Sequence, residues 1–323
     1  MTFHQSSDFE DAIRAAAAHF RLRDIFIEKD YWVTYVLRNV AQSSSSDQVI
    51  FKGGTSLSKA FNCIDRFSED IDLAILKEES VTDNQLKRVI KAVETEASDG
   101  LEYFKHPNEE KRGRNRRTFY SYPRAVEEET FDPVKPHIQL EINCFTNPVP
   151  FERKPIQSYV AQFLSNVGEE ELIKEHNLGT FGINVLKRER TFYEKLMSLV
   201  RLSYEGTDEL KQKIRHFYDL HKLLNEPDLK NSLLVQENFE LITLVLQDDQ
   251  QNNTFSGDWV SLPIHDSPLL RDIDDMWAPL KETYQGELSK LIWSDDLPSS
   301  DSILDSMGRI KSFIKAYQFP KLI

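Results

Sequence analysis

The sequence predicts an α/β protein in which a mixed sheet flanked by helices is followed by a mostly helical region. Apolar and polar residues alternate over residues 70–76 and again over residues 137–145, which is the period of a strand with one buried face. The apolar run 49–51 ends in a Gly-Gly turn, as expected for a strand that enters a turn. From about residue 191 onwards, apolar residues recur at helical spacing.

The remaining elements follow from the same periodicities. The first forty residues predict two helices. The charged segment 106–117 lies between two apolar runs and predicts a hairpin with a long basic loop. The proline-containing segment 147–155 is expected to leave the sheet. We expect two domains, residues 1–165 and residues 166–323. The other predicted elements are helices at 56–61, 83–97, 191–204, 208–224, 234–248, 268–291 and 302–317 and strands at 101–104 and 118–122.

The composition excludes several classes of protein. The chain has 323 residues and a net charge of −13, so a polyanionic partner would have to bind a local basic patch. Its apolar stretches are too short to span a membrane, and the N-terminal residues lack the order of a signal peptide. Cys63 and Cys144 form neither a disulfide framework nor a metal-ligand spacing with histidine. We therefore expect a cytoplasmic protein with no membrane partner.

A turn suited to phosphate binding is the first candidate functional feature. Gly53 and Gly54 follow a predicted strand and precede a predicted helix. Glycine lets the backbone approach a ligand closely, and N–H groups at a helix start can point at an anion. A hydroxyl of Thr55 or Ser56 would add a donor. Taken alone, a Gly-Gly turn followed by Thr or Ser more often has only a structural role.

Three carboxylates form the second candidate feature. Asp70 and Asp72 are two residues apart at a strand start, so both face one side of the strand. Such like charges are tolerated mainly where a divalent cation neutralises them, and Mg²⁺ prefers carboxylates together with substrate phosphates. Glu141 would join these acids if its strand pairs beside that of Asp72. The alternatives are a solvated acidic strand end and an exposed glutamate.

The combination of motifs resembles the DNA polymerase β-type nucleotidyltransferase superfamily and, within it, the AbiEii/AbiGii toxin nucleotidyltransferases, which include the MenT toxins. The resemblance spans roughly residues 25–225. It implies a polymerase β-type fold and Mg²⁺-dependent transfer of NMP from an NTP. The motifs that carry it are EKDYW at 28–32, KGGTSLSKAF at 52–61, RFSEDIDL at 66–73, RTFYEKL at 190–196 and RHFYDLHKL at 215–223.

The resemblance assigns roles to individual residues in these motifs. Lys195 matches the family's essential lysine, which is implied to contact the nucleotide phosphate, and Asp219 matches its distal aspartate. From the residues alone, a lysine in this position beside an apolar stripe is usually a surface residue whose ammonium group reaches the solvent. Asp219 is equally a buried acid that pairs with Arg215 one turn earlier. The residues implied to hold the triphosphate are Gly54, Thr55 and Ser56, and those implied to hold the metal are Asp70 and Asp72.

Two residues of the EKDYW motif have a simpler expected role. Glu28 and Asp30 are expected to brace the fold, with a contact to the nucleotide as the alternative.

A dense run of basic residues predicts where the acceptor of the reaction would bind. Arginines that reach phosphates beside stacking aromatics suit single-stranded RNA, whereas the alternative is a solvated hairpin tip. The resemblance implies the 3′ end of tRNA as acceptor and a cognate antitoxin as partner. Two other functions stay open, namely transfer to a protein hydroxyl or small molecule, and a non-catalytic interaction module with a decayed site. The basic residues are Lys111, Arg112, Arg114, Arg116 and Arg117.

Overall fold

The computed structural model describes residues 2–77, 82–126, 134–252, 257, 259, 262–293 and 297–316. The chain divides into two compact units. The first comprises the described residues of Met1–Phe61 and Phe67–Leu186, and the second comprises those of Asn62–Arg66 and Lys187–Ile323. The first unit contains a mixed sheet with helices and the second is helical. The predicted fold class is therefore confirmed.

One mixed sheet forms the centre of the first unit. Its strands among the described residues are β1 (Val49–Lys52), β2 (Ile71–Ile75), β3 (Glu102–Tyr103), β4 (Glu110–Arg112), β5 (Asn115–Ser121), β6 (Ile138–Asn143), β7 (Phe151–Ile156) and β8 (Phe181–Leu186). Their spatial order is β3-β5-β6-β2-β1-β8-β7, and β4 pairs with β5. β2 pairs antiparallel with β1 and parallel with β6, and β1 pairs parallel with β8. β1, β2 and β6 are thus inner strands.

Helices flank this sheet in the first unit. α4 begins at a capping box in which Thr82 and Gln85 satisfy each other's backbone N–H groups. α2 carries the fully buried Trp32, so it belongs to the core. The helices of this unit are α1 (Phe9–Phe20), α2 (Asp24–Gln42), α3 (Gly53–Lys59), α4 (Asp83–Ala97), α5 (Tyr159–Asn166) and α6 (Glu170–Glu175).

The second unit is built from helices around α7, which packs against α9 and α10. Its helices are α7 (Arg188–Ser203), α8 (Thr207–Gln212), α9 (Ile214–Asn225), α10 (Phe239–Gln251), α11 (Pro268–Arg271), α12 (Ile273–Trp277), α13 (Lys281–Thr283) and α14 (Ser300–Ala316). Residue 317, the last of the predicted helix 302–317, lies outside the described residues. Within the described part of the chain, no helix is long and apolar enough to cross a membrane.

Four predicted elements differ in the structure. The helix expected at 208–224 is divided into α8 and α9, because Lys213 leaves helical geometry between them. The long basic loop expected within 106–117 is a tight hairpin, because Arg112 pairs with Asn115 across a two-residue turn. The segment 147–155 does not leave the sheet, because β7 forms its edge, where Pro155 needs no N–H on the open side. The helix expected at 268–291 is broken into short pieces, since Asp272 leaves helical geometry and Pro279 follows.

The sheet also extends further along the chain than the expected domain limit at residue 165. β8 pairs in parallel with β1 through Phe51 and Val185. The compact unit that holds the sheet therefore ends at Leu186.

Candidate active site

The Gly-Gly turn connects β1 to α3 and is closed against Asp72. Gly53 adopts a φ of +80°, a backbone conformation that favours glycine. A Cβ added to Gly53 would lie 2.1 Å from Asp72 Oδ2, which is far inside a normal contact distance. The carboxylate of Asp72 therefore lies directly on the backbone at the start of α3. Gly53 is needed both for its φ and for this close approach.

The hydroxyl groups after the turn hold the turn to its neighbours. The hydroxyl of Thr55 donates to the backbone carbonyl of Asp70 and lies 3.0 Å from the Ser68 hydroxyl. The hydroxyl of Ser56 donates to the Gly53 carbonyl at 2.9 Å. Both side chains are buried. Thr55 thus ties the turn to the strand of the aspartates, and a phosphate contact by either hydroxyl stays a prediction.

A row of charged residues crosses four strands next to the turn. Asp72 of β2 pairs in register with Lys52 of β1 on one side and with Glu141 of β6 on the other. Glu141 in turn pairs with Arg117 of β5. Residues paired in register lie on the same face of a sheet. The strand of Glu141 therefore lies beside that of Asp72, which is the arrangement that its predicted role requires.

Basic side chains neutralise two of the acids. Asp70 Oδ1 accepts from Lys135 Nζ at 2.7 Å, and Glu141 Oε2 accepts from the guanidinium of Arg117 at 2.9 Å. Burial alone would lower the pKa of Arg117, but the carboxylates of Glu141 and Asp72 raise it above its ordinary value. The acids therefore form part of a mixed cluster of both signs, whereas the sequence predicted an acidic cluster.

The carboxylates fit a metal ion that is shared with a substrate. Among the described residues, no three His, Cys, Asp or Glu side chains are grouped so that they alone could hold a metal ion. Mg²⁺ commonly binds one or two protein carboxylates and completes its coordination with waters and phosphate oxygens. Asp72 supplies such an oxygen beside the turn at Gly53, and Asp70 lies two residues before it in the chain. The predicted metal roles of Asp70, Asp72 and Glu141 stay predictions.

Lys195 and Asp219 form a buried ion network within the second unit. Lys195 Nζ lies 2.8 Å from Asp219 Oδ2, and Arg66 donates to both carboxylate oxygens of Asp219 at 2.7 Å. Burial alone would raise the pKa of Asp219, but Arg66 and Lys195 more than offset it and hold this pKa well below its usual range. Asp219 therefore stays ionised and fixes the ammonium group of Lys195.

The structure shows whether Lys195 is a surface residue and which arginine pairs with Asp219. Lys195 is buried and does not behave as a snorkelling surface lysine. The arginine that binds Asp219 as a two-pronged partner is Arg66, whereas the sequence offered Arg215. Arg66 stands in the RFSEDIDL motif four residues before Asp70, which is the signal that could have identified it. The catalytic roles of Lys195 and Asp219 stay predictions.

The EKDYW motif braces the first unit. Glu28 Oε1 accepts from the N–H of Ala125 at 2.6 Å. Asp30 accepts from Lys59 Nζ at 2.6 Å, at the end of α3, and from the N–H of Tyr159 at 2.8 Å. The bracing role predicted for Glu28 and Asp30 is confirmed by these contacts.

Sequence reasoning missed the central residue of this motif. Lys29 is fully buried and lies 3.3 Å from Glu69, the residue before Asp70. Its ammonium also donates to the carbonyl groups of Lys135 and His137. Lys29 therefore holds both the strand start that carries Asp70 and the segment that carries the partner of Asp70. A charged residue between two other charges on an otherwise apolar helix was the available signal.

The five basic residues predicted to bind RNA lie on the β4–β5 hairpin, and each has an acidic partner. The pairs are Lys111 with Glu109, Arg112 with Glu110, Arg114 with Asp83, Arg116 with Glu94 and Arg117 with Glu141. Arg112 and Arg114 have the most exposed side chains of the five, at 81% and 52%. Surface pairs of this kind are weak, so these two guanidinium groups can exchange a carboxylate for a phosphate at low cost.

The match to a family model shows that this chain is, as a class, a nucleotidyltransferase. More narrowly, the chain belongs to the family of AbiEii nucleotidyl transferase toxins of type IV toxin–antitoxin systems, because the model of that family matches residues 35–306. It is therefore a nucleotidyltransferase toxin, for which an NTP substrate and a cognate antitoxin are implied. A search of the curated proteins found no match.

The solved structure of MenT4 shows a similar fold. MenT4, a nucleotidyltransferase toxin from Mycobacterium tuberculosis, is 15% identical with a TM-score of 0.56, and the match covers 95% of this chain and 90% of MenT4. JHP933 from Helicobacter pylori is 16% identical with a TM-score of 0.43, and the match covers 91% of this chain and 94% of JHP933. The family predicted from the motifs is confirmed, whereas the acceptor, Mg²⁺ and the roles of single residues stay predictions.

Proposed function

We propose that this toxin transfers NMP from an NTP to an RNA acceptor, with the 3′ end of tRNA as the preferred acceptor, in a Mg²⁺-dependent reaction. The observation that carries the proposal is the contact of Asp72 Oδ2 with the backbone of Gly53. It joins an oxygen ligand for a cation to a turn whose N–H groups suit phosphate. Family membership supports the same chemistry.

In the proposed reaction the acceptor hydroxyl attacks the α-phosphorus of the NTP. A bond forms between the hydroxyl oxygen and the α-phosphorus, the bond from that phosphorus to the bridging oxygen breaks, and pyrophosphate leaves. When bound, Mg²⁺ supplies positive charge for the phosphates and lowers the pKa of the attacking hydroxyl. Asp70 and Asp72 would hold the ion, and Glu141 would act as a further ligand or accept the hydroxyl proton.

The backbone at Gly53 and Gly54 is proposed to hold the triphosphate, with Thr55 and Ser56 fixing the turn. Lys195 is proposed to contact a phosphate, and Asp219 to hold its ammonium group in place. The buried network of Lys195, Asp219 and Arg66 supports this assignment, because an ammonium that is fixed in advance loses little entropy on binding an anion.

RNA as acceptor is supported by the exposed turn of the β4–β5 hairpin. Arg112 and Arg114 project from its turn and are held only by surface ion pairs. The net charge of −13 makes a local contact of this kind necessary. The other three basic residues, Lys111, Arg116 and Arg117, would contribute after exchanging their acidic partners.

The test incubates purified protein with each labelled NTP, Mg²⁺ and total tRNA, and compares the parent with Asp72→Asn. Asp11→Asn serves as the matched control, because it removes the same charge from an exposed position on α1. We expect labelled RNA with the parent and with Asp11→Asn but not with Asp72→Asn. Label in protein or in a small molecule alone would replace the acceptor that we propose. Absence of any label in the presence of all four NTPs would contradict the proposed activity.

A further inference from the structure

Lys135 is the basic partner of Asp70, and the stability of the fold does not explain why an ammonium group lies at this carboxylate. Its Nζ lies 2.7 Å from Asp70 Oδ1 and 3.2 Å from Gln139 Oε1. The side chains of Lys135 and Asp70 are 35% and 30% exposed. Ion pairs as exposed as this one contribute little to the stability of a fold. A different reason is needed for an ammonium group on this particular carboxylate.

The backbone of Lys135 is fixed, whereas its side chain is only half-buried. Its N–H donates to Glu69 Oε2 at 3.0 Å, and its carbonyl accepts from Lys29 Nζ at 2.8 Å. Lys29 and Glu69 pair with each other, with side chains 0% and 3% exposed. Buried charges persist only with good pairing and further hydrogen bonds, and the backbone of Lys135 supplies two of them. The result is a flexible ammonium group on a rigid base beside Asp70.

The carboxylates around Asp70 would also attract a divalent cation, with which Lys135 would compete. Asp70 is followed two residues later by Asp72, which lies in register with Glu141. A divalent cation would be attracted to the same carboxylates that attract the ammonium group. Two cations at one carboxylate repel each other. Binding of an ion to Asp70 therefore competes with the contact between Lys135 and Asp70 Oδ1.

We propose that Lys135 competes with the divalent cation for Asp70 and, once displaced, binds the phosphates of the nucleotide. This inference rests on the proposed function. A lysine suits both positions, because its ammonium is a compact charge on a flexible stem that binds carboxylate or phosphate as a point charge. The exchange keeps Asp70 neutralised in the empty protein. It also brings an additional positive charge to the substrate when the site is loaded.

The test measures Mn²⁺ binding to the full nucleotide-free chain by electron paramagnetic resonance, which needs no turnover. Lys135→Met removes the competing charge and keeps the length of the side chain. Lys154→Met is the matched control, because Lys154 is also half-buried, 30% exposed, and pairs with an acid, Glu152, in the same unit. We expect Lys135→Met to bind Mn²⁺ about three- to tenfold more tightly than Lys154→Met. Lys135→Arg, which keeps the charge, should resemble the parent.

A second measurement follows the other half of the exchange. Binding of a fluorescent NTP analogue in the presence of Ca²⁺ should weaken about three- to tenfold in Lys135→Met and stay within twofold in Lys154→Met. A merely structural lysine would not tighten ion binding and weaken nucleotide binding at the same time. The gain in Mn²⁺ affinity must also disappear in the double variant with Asp70→Asn.

Three results would overturn the inference. The first is Mn²⁺ binding by Lys135→Met that is no tighter than in Lys154→Met, including binding that is undetectable in both. The second is a gain that survives Asp70→Asn, and the third is unchanged nucleotide affinity. Circular dichroism of each variant verifies that it is folded. Because neither measurement uses NMP transfer, failure of this inference is distinguishable from failure of the proposed function.

Discussion

Replacement of Gly53 by alanine tests the contact that joins the turn to the carboxylates. A Cβ at this position would lie 2.1 Å from Asp72 Oδ2, whereas ordinary contact begins at 3.4 Å. The carboxylate oxygen or the turn must therefore move by 3.4 − 2.1 = 1.3 Å. A misplacement of about 1 Å in a catalytic group can cost about 100-fold in rate. We therefore expect Gly53→Ala to lose about 100-fold in NMP transfer.

A second glycine of the same unit provides the control. Gly168 has a φ of +83°, close to the +80° of Gly53, but an added Cβ there would meet nothing within 4 Å. Gly168→Ala should cost about 1–2 kcal/mol in the free energy of unfolding, because alanine disfavours a left-handed backbone, and Gly53→Ala should cost at least as much. Only Gly53→Ala should lose activity. The assay combines urea unfolding with label transfer, and full activity of Gly53→Ala, or equal loss in Gly168→Ala, would refute the reasoning.

Three further predictions concern the other charged residues. Lys29→Met leaves the buried carboxylate of Glu69 without its ammonium partner and should lower the free energy of unfolding by about 3–5 kcal/mol in urea titrations. The double variant with Glu69→Gln should recover most of this stability. A loss below about 1 kcal/mol in the single variant would contradict the prediction. The pKa of Asp219 is lower in the folded state than in the unfolded state, so its stabilisation is present above the unfolded pKa of about 4 and is lost as the pH falls. Asp219→Asn should thus lower the free energy of unfolding strongly at pH 7 and less at pH 3, as measured by urea unfolding. A difference in stability between the variant and the parent that does not change with pH would contradict this prediction. The double variant with Arg112→Gln and Arg114→Gln should bind tRNA more weakly in filter assays, and its tRNA binding should depend less on salt. NTP binding should be unchanged. An unaltered salt slope would argue against an RNA contact at the hairpin.

Much of the local structure at the site was predictable from sequence. The alternation around Asp72 and Glu141 correctly placed both acids on the polar faces of strands. The pairing that brings them side by side was not predictable locally, because β2 and β6 are parallel and their first paired residues, Ile71 and Leu140, are 69 positions apart in the chain. Sequence periodicity reports which face a residue occupies, whereas register is a property of the whole sheet.

The partners of the charged residues were the least predictable feature. Arg66 and Asp219 are 153 positions apart, and Lys29 reaches a backbone carbonyl 106 positions away. The basic run on the hairpin was expected to be an open positive patch, yet its residues pair with acids contributed by several segments. Charge pairing depends on tertiary proximity, so neither motif nor composition could supply it.

The most direct test of the central claim is a crystal structure of the protein with Mg²⁺ and a non-hydrolysable NTP analogue. We expect the triphosphate to lie on the backbone of Gly53 and Gly54 and the ion to contact Asp70 and Asp72. A nucleotide bound elsewhere, with no ion on either aspartate, would contradict the assignment of this turn and these carboxylates as the site of nucleotidyl transfer.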